Sequence, residues 1–235
     1  MIKAVIFDLD GTLLPMDEEE FTKGYFNLLC KKLVPLGYNK DELVQTVWAG
    51  TKAMVKNDGQ KTNEQIFWDC FKNTYGDEKI KDKKVFDDFY VSDFKNTICF
   101  CKQNPWAKKI VQYAKNLGLK TILASNPLFP ISGMTTRMEF VGLKQEDFDY
   151  TSSYETSHYA KPNPKFYQEI LDNLNLKSNE VIYFCNSEKE DVVPAQICKI
   201  KTYLIGDNIS LLGENNLQKY TYQEVEKIIY DNLKQ

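Results

Sequence analysis

The run Val5-Ile6-Phe7-Asp8-Leu9-Asp10-Gly11-Thr12-Leu13-Leu14 limits what this chain can fold into more than any other stretch. Ile2 to Phe7 form a short apolar run, the pattern of a strand buried on both faces. Two carboxylates, Asp8 and Asp10, follow at its carboxyl end. Gly11 then permits a sharp backbone turn. In open α/β sheets ligands bind outside the carboxyl ends of the strands, so the two acids stand where chemistry is expected.

The chain changes character after Leu14. Between Glu18 and about Lys95 four helical patterns occur and no good strand. Phe21, Tyr25, Leu28, Leu29 and Leu33 form the first, closed by Gly37. Leu43, Val44, Val47, Trp48, Met54 and Val55 form the second, with a break expected at Gly50. Asn57-Asp58-Gly59 reads as a turn. Ile66, Phe67, Cys70 and Phe71 mark the third pattern, and Val85, Phe86, Phe89 and Tyr90 the fourth. From Asn104 onward helices and strands alternate. Helices are predicted around Ala107–Leu117, around Met134, Met138 and Phe140, from Asn163-Pro164 into Leu174, and over Val225–Leu233. Strands are predicted at Lys120–Ala124, Phe148–Ser152, Glu180–Cys185 and Lys201–Ile205. This alternation predicts an α/β fold, a parallel sheet with helices on both faces.

Four runs in chain order carry the candidate chemistry. Asp8-Leu9-Asp10-Gly11-Thr12 follows the first strand. Thr121-Ile122-Leu123-Ala124-Ser125-Asn126 ends the second with a hydroxyl. Ala160-Lys161-Pro162-Asn163-Pro164 offers a lysine whose direction is fixed by two prolines. Phe184-Cys185-Asn186-Ser187-Glu188-Lys189-Glu190-Asp191 follows a later strand. Together these runs resemble the four motifs of the haloacid dehalogenase superfamily, in its phosphatase and phosphomutase branch. The resemblance implies a Rossmann-like parallel-sheet core, residues 1–14 and 101–235, with an inserted α-helical cap domain, residues 15–100. It also implies that the cap moves on the two crossings near Leu14 and near Phe100 to Asn104.

It further implies a function, an Mg2+-dependent phosphatase acting on a small phosphorylated substrate. Phosphate esters resist hydrolysis because the reacting oxygens all carry negative charge, so a site must supply a nucleophile, a proton donor and positive charge. By the resemblance Asp8 attacks phosphorus and forms an aspartyl-phosphate. Asp10 protonates the leaving oxygen and then activates water. Lys161 neutralises nucleophile and phosphate. Ser125, Asn126, Lys161 and Thr12 are the phosphate-binding candidates, Thr12 as a positioning residue in the turn. Asp8, the backbone carbonyl of Asp10, Asn186 and Asp191 are the metal candidates. Asn186 departs from the pattern, because it stands where the family usually has an aspartate. An amide oxygen suits a hard cation but brings no charge, so weakened magnesium binding is expected. Three alternatives stay open. Asn186 also suits a dehalogenase, although Asp10 does not. A phosphomutase and a binding protein that has lost turnover complete the set.

Net charge is −3, which points to neither nucleic acid nor an anionic membrane as partner. The lysines are spread along the chain, with Arg137 the single arginine, as on a lysine-rich surface. Six cysteines lie mostly in apolar periodic runs, and one histidine, His158, leaves zinc unsupported. With Met1 leading into a strand and no leader pattern, a cytoplasmic protein is expected. Substrate specificity is assigned to Trp48, Lys52 and Lys56 near the expected break at Gly50. Oligomeric state has no signature in the sequence.

Overall fold

The computed structural model describes residues 1–213 and 217–234. Strand β1 (Ala4–Phe7) runs into the acidic turn and is followed by four helices: α1 (Glu18–Leu33), α2 (Lys40–Val55), α3 (Asn63–Tyr75) and α4 (Lys83–Val91). Then come α5 (Pro105–Asn116), β2 (Lys120–Leu123), α6 (Ile131–Glu139), β3 (Tyr150–Thr151) and α7 (Pro164–Leu174). The chain finishes with β4 (Val181–Cys185), α8 (Val193–Ile197), β5 (Lys201–Ile205), β6 (Lys219–Tyr220) and α9 (Val225–Leu233). All strands pair in parallel, in the order β3-β2-β1-β4-β5-β6.

Local chemistry explains the boundaries. Asp17, Asn39, Thr62, Asn104 and Asn163 cap α1, α2, α3, α5 and α7, each accepting hydrogen bonds from first-turn amides. Pro105 and Pro164 open α5 and α7, where a missing N–H costs nothing. The predicted break in α2 is absent. Gly50 lies inside a continuous helix because a Cβ there would come within 2.6 Å of the Phe67 ring on α3. The glycine permits close helix packing, not a kink.

Alternation along β1 places the two halves of the core. Ala4 and Ile6 pack with α7 and α8 residues such as Phe166, Ile170 and Ala195, while Val5 and Phe7 pack with α5 and α9 residues such as Ile110 and Ile229. Every residue of β1 and β4 is buried, which fits strands covered on both faces. Burial of one such side chain contributes about 1.5–3 kcal/mol. β1 is central, so its carboxyl end opens between β2 and β4, and this puts Asp8 and Asp10 between Ser125 and Asn186.

Helices α1 to α4 form a layer across that end of the sheet. The two chain crossings into it pair with each other: Lys102 N–H donates to the Pro15 carbonyl at 2.7 Å, and Asn104 Nδ2 to the Leu13 carbonyl at 2.9 Å. A third attachment lies at the start of α3. Asn63 is fully buried, and its Nδ2 donates to the carbonyls of Pro127 and Tyr159 at 3.2 and 3.3 Å. Its Oδ1 accepts from Asn57, and its N–H donates to the Ser157 carbonyl. Among the described residues no helix is long and apolar enough to cross a membrane. Asn63→Ala removes a donor from two carbonyls and an acceptor from Asn57. It is expected to cost about 2–3 kcal/mol, read as a lower urea midpoint with an unchanged denaturant slope.

Candidate active site

The floor of the site is a set of strand ends. Asp8, immediately after β1, is 4% exposed, so it is buried rather than facing solvent. Its Oδ1 accepts from Lys161 Nζ at 2.7 Å and its Oδ2 from Thr12 Oγ1 at 2.6 Å. Gly11, at φ +79°, makes the turn between these groups, and a Cβ there would meet Asn186 Nδ2 at 2.2 Å. Only glycine lets the acidic turn close against the loop after β4. Tyr222, from the turn before α9, donates its hydroxyl to the Thr12 carbonyl at 2.7 Å and fixes the same turn from behind.

Lys161 is 3% exposed, and its three N–H donors are taken by Asp8, by Asp191 Oδ1 at 2.7 Å and by the Tyr183 hydroxyl at 2.9 Å. Burial works against its ammonium, but the Asp191 and Asp8 carboxylates outweigh that and hold its pKa above the ordinary lysine value. Burial is also the largest influence on Asp8. Lys161 opposes it and Asp191 adds to it, and the net push takes Asp8 up to about 7. With its donors committed, Lys161 can offer a ligand charge but no free N–H.

Asp191, expected as a metal ligand, occupies a different place. Its Oδ1 accepts from Lys161, from Tyr183 at 2.6 Å and from Tyr167 at 3.1 Å, and its Oδ2 accepts the Ser187 N–H at 3.1 Å. Both oxygens are occupied, and the residue is a clamp on the lysine. Residues Glu188–Val192 make a wide π-type turn, and this brings Asp191 back under Lys161. Asn186 is 5% exposed. Its NH2 donates to the Asn208 carbonyl at 2.9 Å, not to Asp191, and this turns Oδ1 to within 3.2 Å of Thr12 Oγ1 beside Asp8.

The remaining phosphate and specificity candidates fall in different places. Thr12, expected to bind phosphate, has no exposed surface and donates to Asp8, so it positions that carboxylate and has no surface for a ligand. Asn126 accepts the Lys161 main-chain N–H at 3.2 Å and so orients that segment, although it also lines the cavity. Lys52 and Lys56 are exposed and outside the cavity, because α2 lines it from the side of Val47 and Thr51, with Trp48 at the edge, and the lysines lie beyond that edge.

Arg137 is the residue that sequence reasoning missed. It is 2% exposed on α6, and its NH1 lies 2.5 Å from Asp10 Oδ2. Its guanidinium carbon sits 4.3 Å from the Phe129 ring centroid. Ser125 Oγ donates to the same Asp10 oxygen at 3.1 Å. Asp10 lines the cavity, and its Oδ1 is buried with no donor among the described residues. One oxygen is thus fixed and the other has no partner among those residues. An isolated arginine has no sequence periodicity to betray it; the apolar spacing of Met134 and Met138 around it was the only available signal.

The cavity above this floor has a volume of 890 Å³ and is walled by α1 to α4. Among the described residues no group of three or more acidic, histidine or cysteine side chains is arranged to hold a metal ion. The oxygens that could meet magnesium are the Asp8 carboxylate, the Asp10 carbonyl and the Asn186 amide. All are hard oxygen donors, so they fit such a cation, with the Asn186 amide bringing no charge.

Residues 5–205 match the family model for haloacid dehalogenase-like hydrolases, and the chain belongs to that family. Solved structures agree on the fold. A 2-haloacid dehalogenase from Pseudomonas syringae pv. Tomato DC3000 is 15% identical with a TM-score of 0.66, covering 98% of this chain and 99% of its own. An HAD phosphatase from Thermococcus onnurineus is 20% identical with a TM-score of 0.60, covering 97% and 98%. CbbY from Rhodobacter sphaeroides, solved with phosphate, is 14% identical with a TM-score of 0.54, covering 94% and 93%. No curated protein sequence matches significantly.

Arg137→Met should release Asp10 Oδ2 and lower stability by about 1–3 kcal/mol, by analogy with other buried polar groups that lose a partner. Turnover should fall more than KM rises. Unchanged steady-state constants would show that Asp10 holds its place without the guanidinium.

Proposed function

We propose that the protein hydrolyses a small phosphomonoester through an aspartyl-phosphate on Asp8, with magnesium as cofactor. The observation that carries this reading is Asp10. A carboxyl that borders the cavity, with one oxygen anchored by Arg137 and Ser125 and the other without a partner among the described residues, is placed to give and take a proton. A dehalogenase needs no such group.

In the first step an Asp8 oxygen bonds to phosphorus, the ester P–O bond breaks, and Asp10 supplies the proton to the leaving oxygen. In the second, water attacks phosphorus, its proton passes to Asp10, and inorganic phosphate leaves Asp8 restored. Lys161 offsets charge on Asp8 and on the phosphoryl group. Ser125 can turn its hydroxyl from Asp10 to a phosphoryl oxygen. Magnesium, held by Asp8, the Asp10 carbonyl and Asn186, would add positive charge beside the nucleophile. Residues 15–100 serve as a cap over the core of residues 1–14 and 101–235, and they exclude water from the leaving group.

Asp8→Asn is nearly isosteric and leaves Lys161 its Asp191 partner, so a folded protein without phosphate release is expected. Substantial residual release would remove the covalent mechanism. Asn186→Asp restores a charge beside the cation. It should lower the magnesium needed for half-maximal phosphate release by about 10-fold or more, the scale on which even outer groups around a metal act. Coincident titration curves would place position 186 outside the cation's reach.

A further inference from the structure

The catalytic floor accounts for only part of the cavity. Above Asp8 and Asp10 its wall is aromatic, with Trp48 from α2, Phe67 and Trp68 from α3, Phe86 and Tyr90 from α4, and Phe129 from the loop before α6. The rings brace one another edge to face. Phe67 and Trp68 have centroids 5.4 Å apart at 86°, Trp68 and Phe86 5.3 Å at 86°, and Tyr90 and Phe129 6.1 Å at 89°. A wall interlocked in this way is stiff and offers mainly ring faces and edges, with the Trp68 indole N–H as a donor unpaired among the described residues. The hydroxyls of Tyr25 and Tyr90 bond each other at 2.9 Å. Trp48, half exposed, stands at the mouth beside Phe26, their centroids 5.4 Å apart.

Charge is confined to the floor and to one rim. At the rim Asp17, Glu18 and Glu19 from the start of α1 face Lys189 and Glu190 from the turn after β4. Glu19 is paired with Lys23 at 2.7 Å, and the three remaining carboxylates against one ammonium make this rim negative, so a second anionic group on a ligand meets repulsion.

We propose that the pocket takes a phosphomonoester whose leaving group is a flat aromatic ring with no second anionic group. The inference rests on the phosphatase reading and narrows its substrate class. A sugar phosphate would find polar partners at the rim and at Thr22 and Thr51, but its hydroxyls would go unpaired where they meet the rings, and each unpaired hydroxyl disfavours binding. A ring gains stacking and edge contacts on the same wall. The volume of 890 Å³ accommodates a fused ring system together with the phosphate. The negative rim disfavours a bisphosphate, which a phosphomutase must hold between its two half-reactions.

The test compares 2-naphthylmethyl phosphate with hexose 6-phosphate in magnesium, because both release a primary alcohol and leaving-group reactivity does not bias the result. The naphthyl ester should show a kcat/KM higher by about 10-fold or more. Trp48→Ala should reduce that preference by about 3- to 10-fold. A binding arm follows tryptophan fluorescence of the wild-type protein with 2-naphthylmethylphosphonate, which cannot be hydrolysed, and with methylphosphonate. The naphthyl compound should bind about 10-fold tighter or better. Equal binding of the two phosphonates overturns the inference, as does hexose 6-phosphate turnover equal to or better than that of the naphthyl ester. A Trp48 variant with undiminished preference counts against this wall. Tight naphthylphosphonate binding with no phosphate released from either ester supports the aromatic pocket and overturns the phosphatase reading instead.

Discussion

Lys161 is an ammonium ion almost wholly removed from water, and the site is arranged around that fact. Taking such an ion into a protein interior costs several kcal/mol unless its donors and its charge are met. Here three oxygens meet three donors: Asp8, Asp191 and the Tyr183 hydroxyl. Two carboxylates against one ammonium leave the buried cluster with an excess negative charge. Burial, with the Asp191 charge adding to it against Lys161, raises Asp8. The same contacts dictate the backbone. The π-type turn returns Asp191 beneath the lysine, and the glycine at position 11 lets the acidic turn approach Asn186.

Asp10 belongs to a second, separate pair. Arg137 reaches it from α6, on the far side of Ser125, so the two carboxylates of one turn are held by two cations from different elements. This separation suits different roles. Asp8 stays bonded to the groups that stabilise charge, while Asp10 keeps one oxygen free of partners among the described residues. Thr136, next to Arg137, donates to the Tyr90 carbonyl at 3.3 Å, so the helix that orients Asp10 also touches the helical layer above it.

Much of this was legible before any coordinates, and the reasons are physical. A strand buried on both faces must be apolar throughout, so β1, β2, β4 and β5 stood out as runs, and residues at their carboxyl ends were confined to one edge of the sheet. Two-residue β6 has no such run and was not foreseen. The periodicity of α1 to α4 was clear, but Gly50 read as a break because sequence does not reveal the Phe67 ring packed against it. Lys52 follows Trp48 by one helical turn, but the cavity is lined from the Val47 and Thr51 side of α2, which leaves Lys52 and Lys56 in solvent. In the sequence Arg137 is one cation among many lysines. Its partner is 127 residues away, and only folding brings them together. Asp191 closes the fourth run of the sequence, but its two tyrosine partners and the lysine fix it as a clamp, a role set by contacts between elements.

The central claim is that Asp8 becomes covalently phosphorylated during turnover. Acid quenching of the protein while it hydrolyses a phosphomonoester, followed by peptide mass spectrometry, tests this directly. The account predicts a phosphoryl group on the peptide that carries Asp8, removed by hydroxylamine as an acyl phosphate would be. Continued release of inorganic phosphate with that peptide unmodified at every quench time, or with the phosphoryl group on another residue, would contradict it.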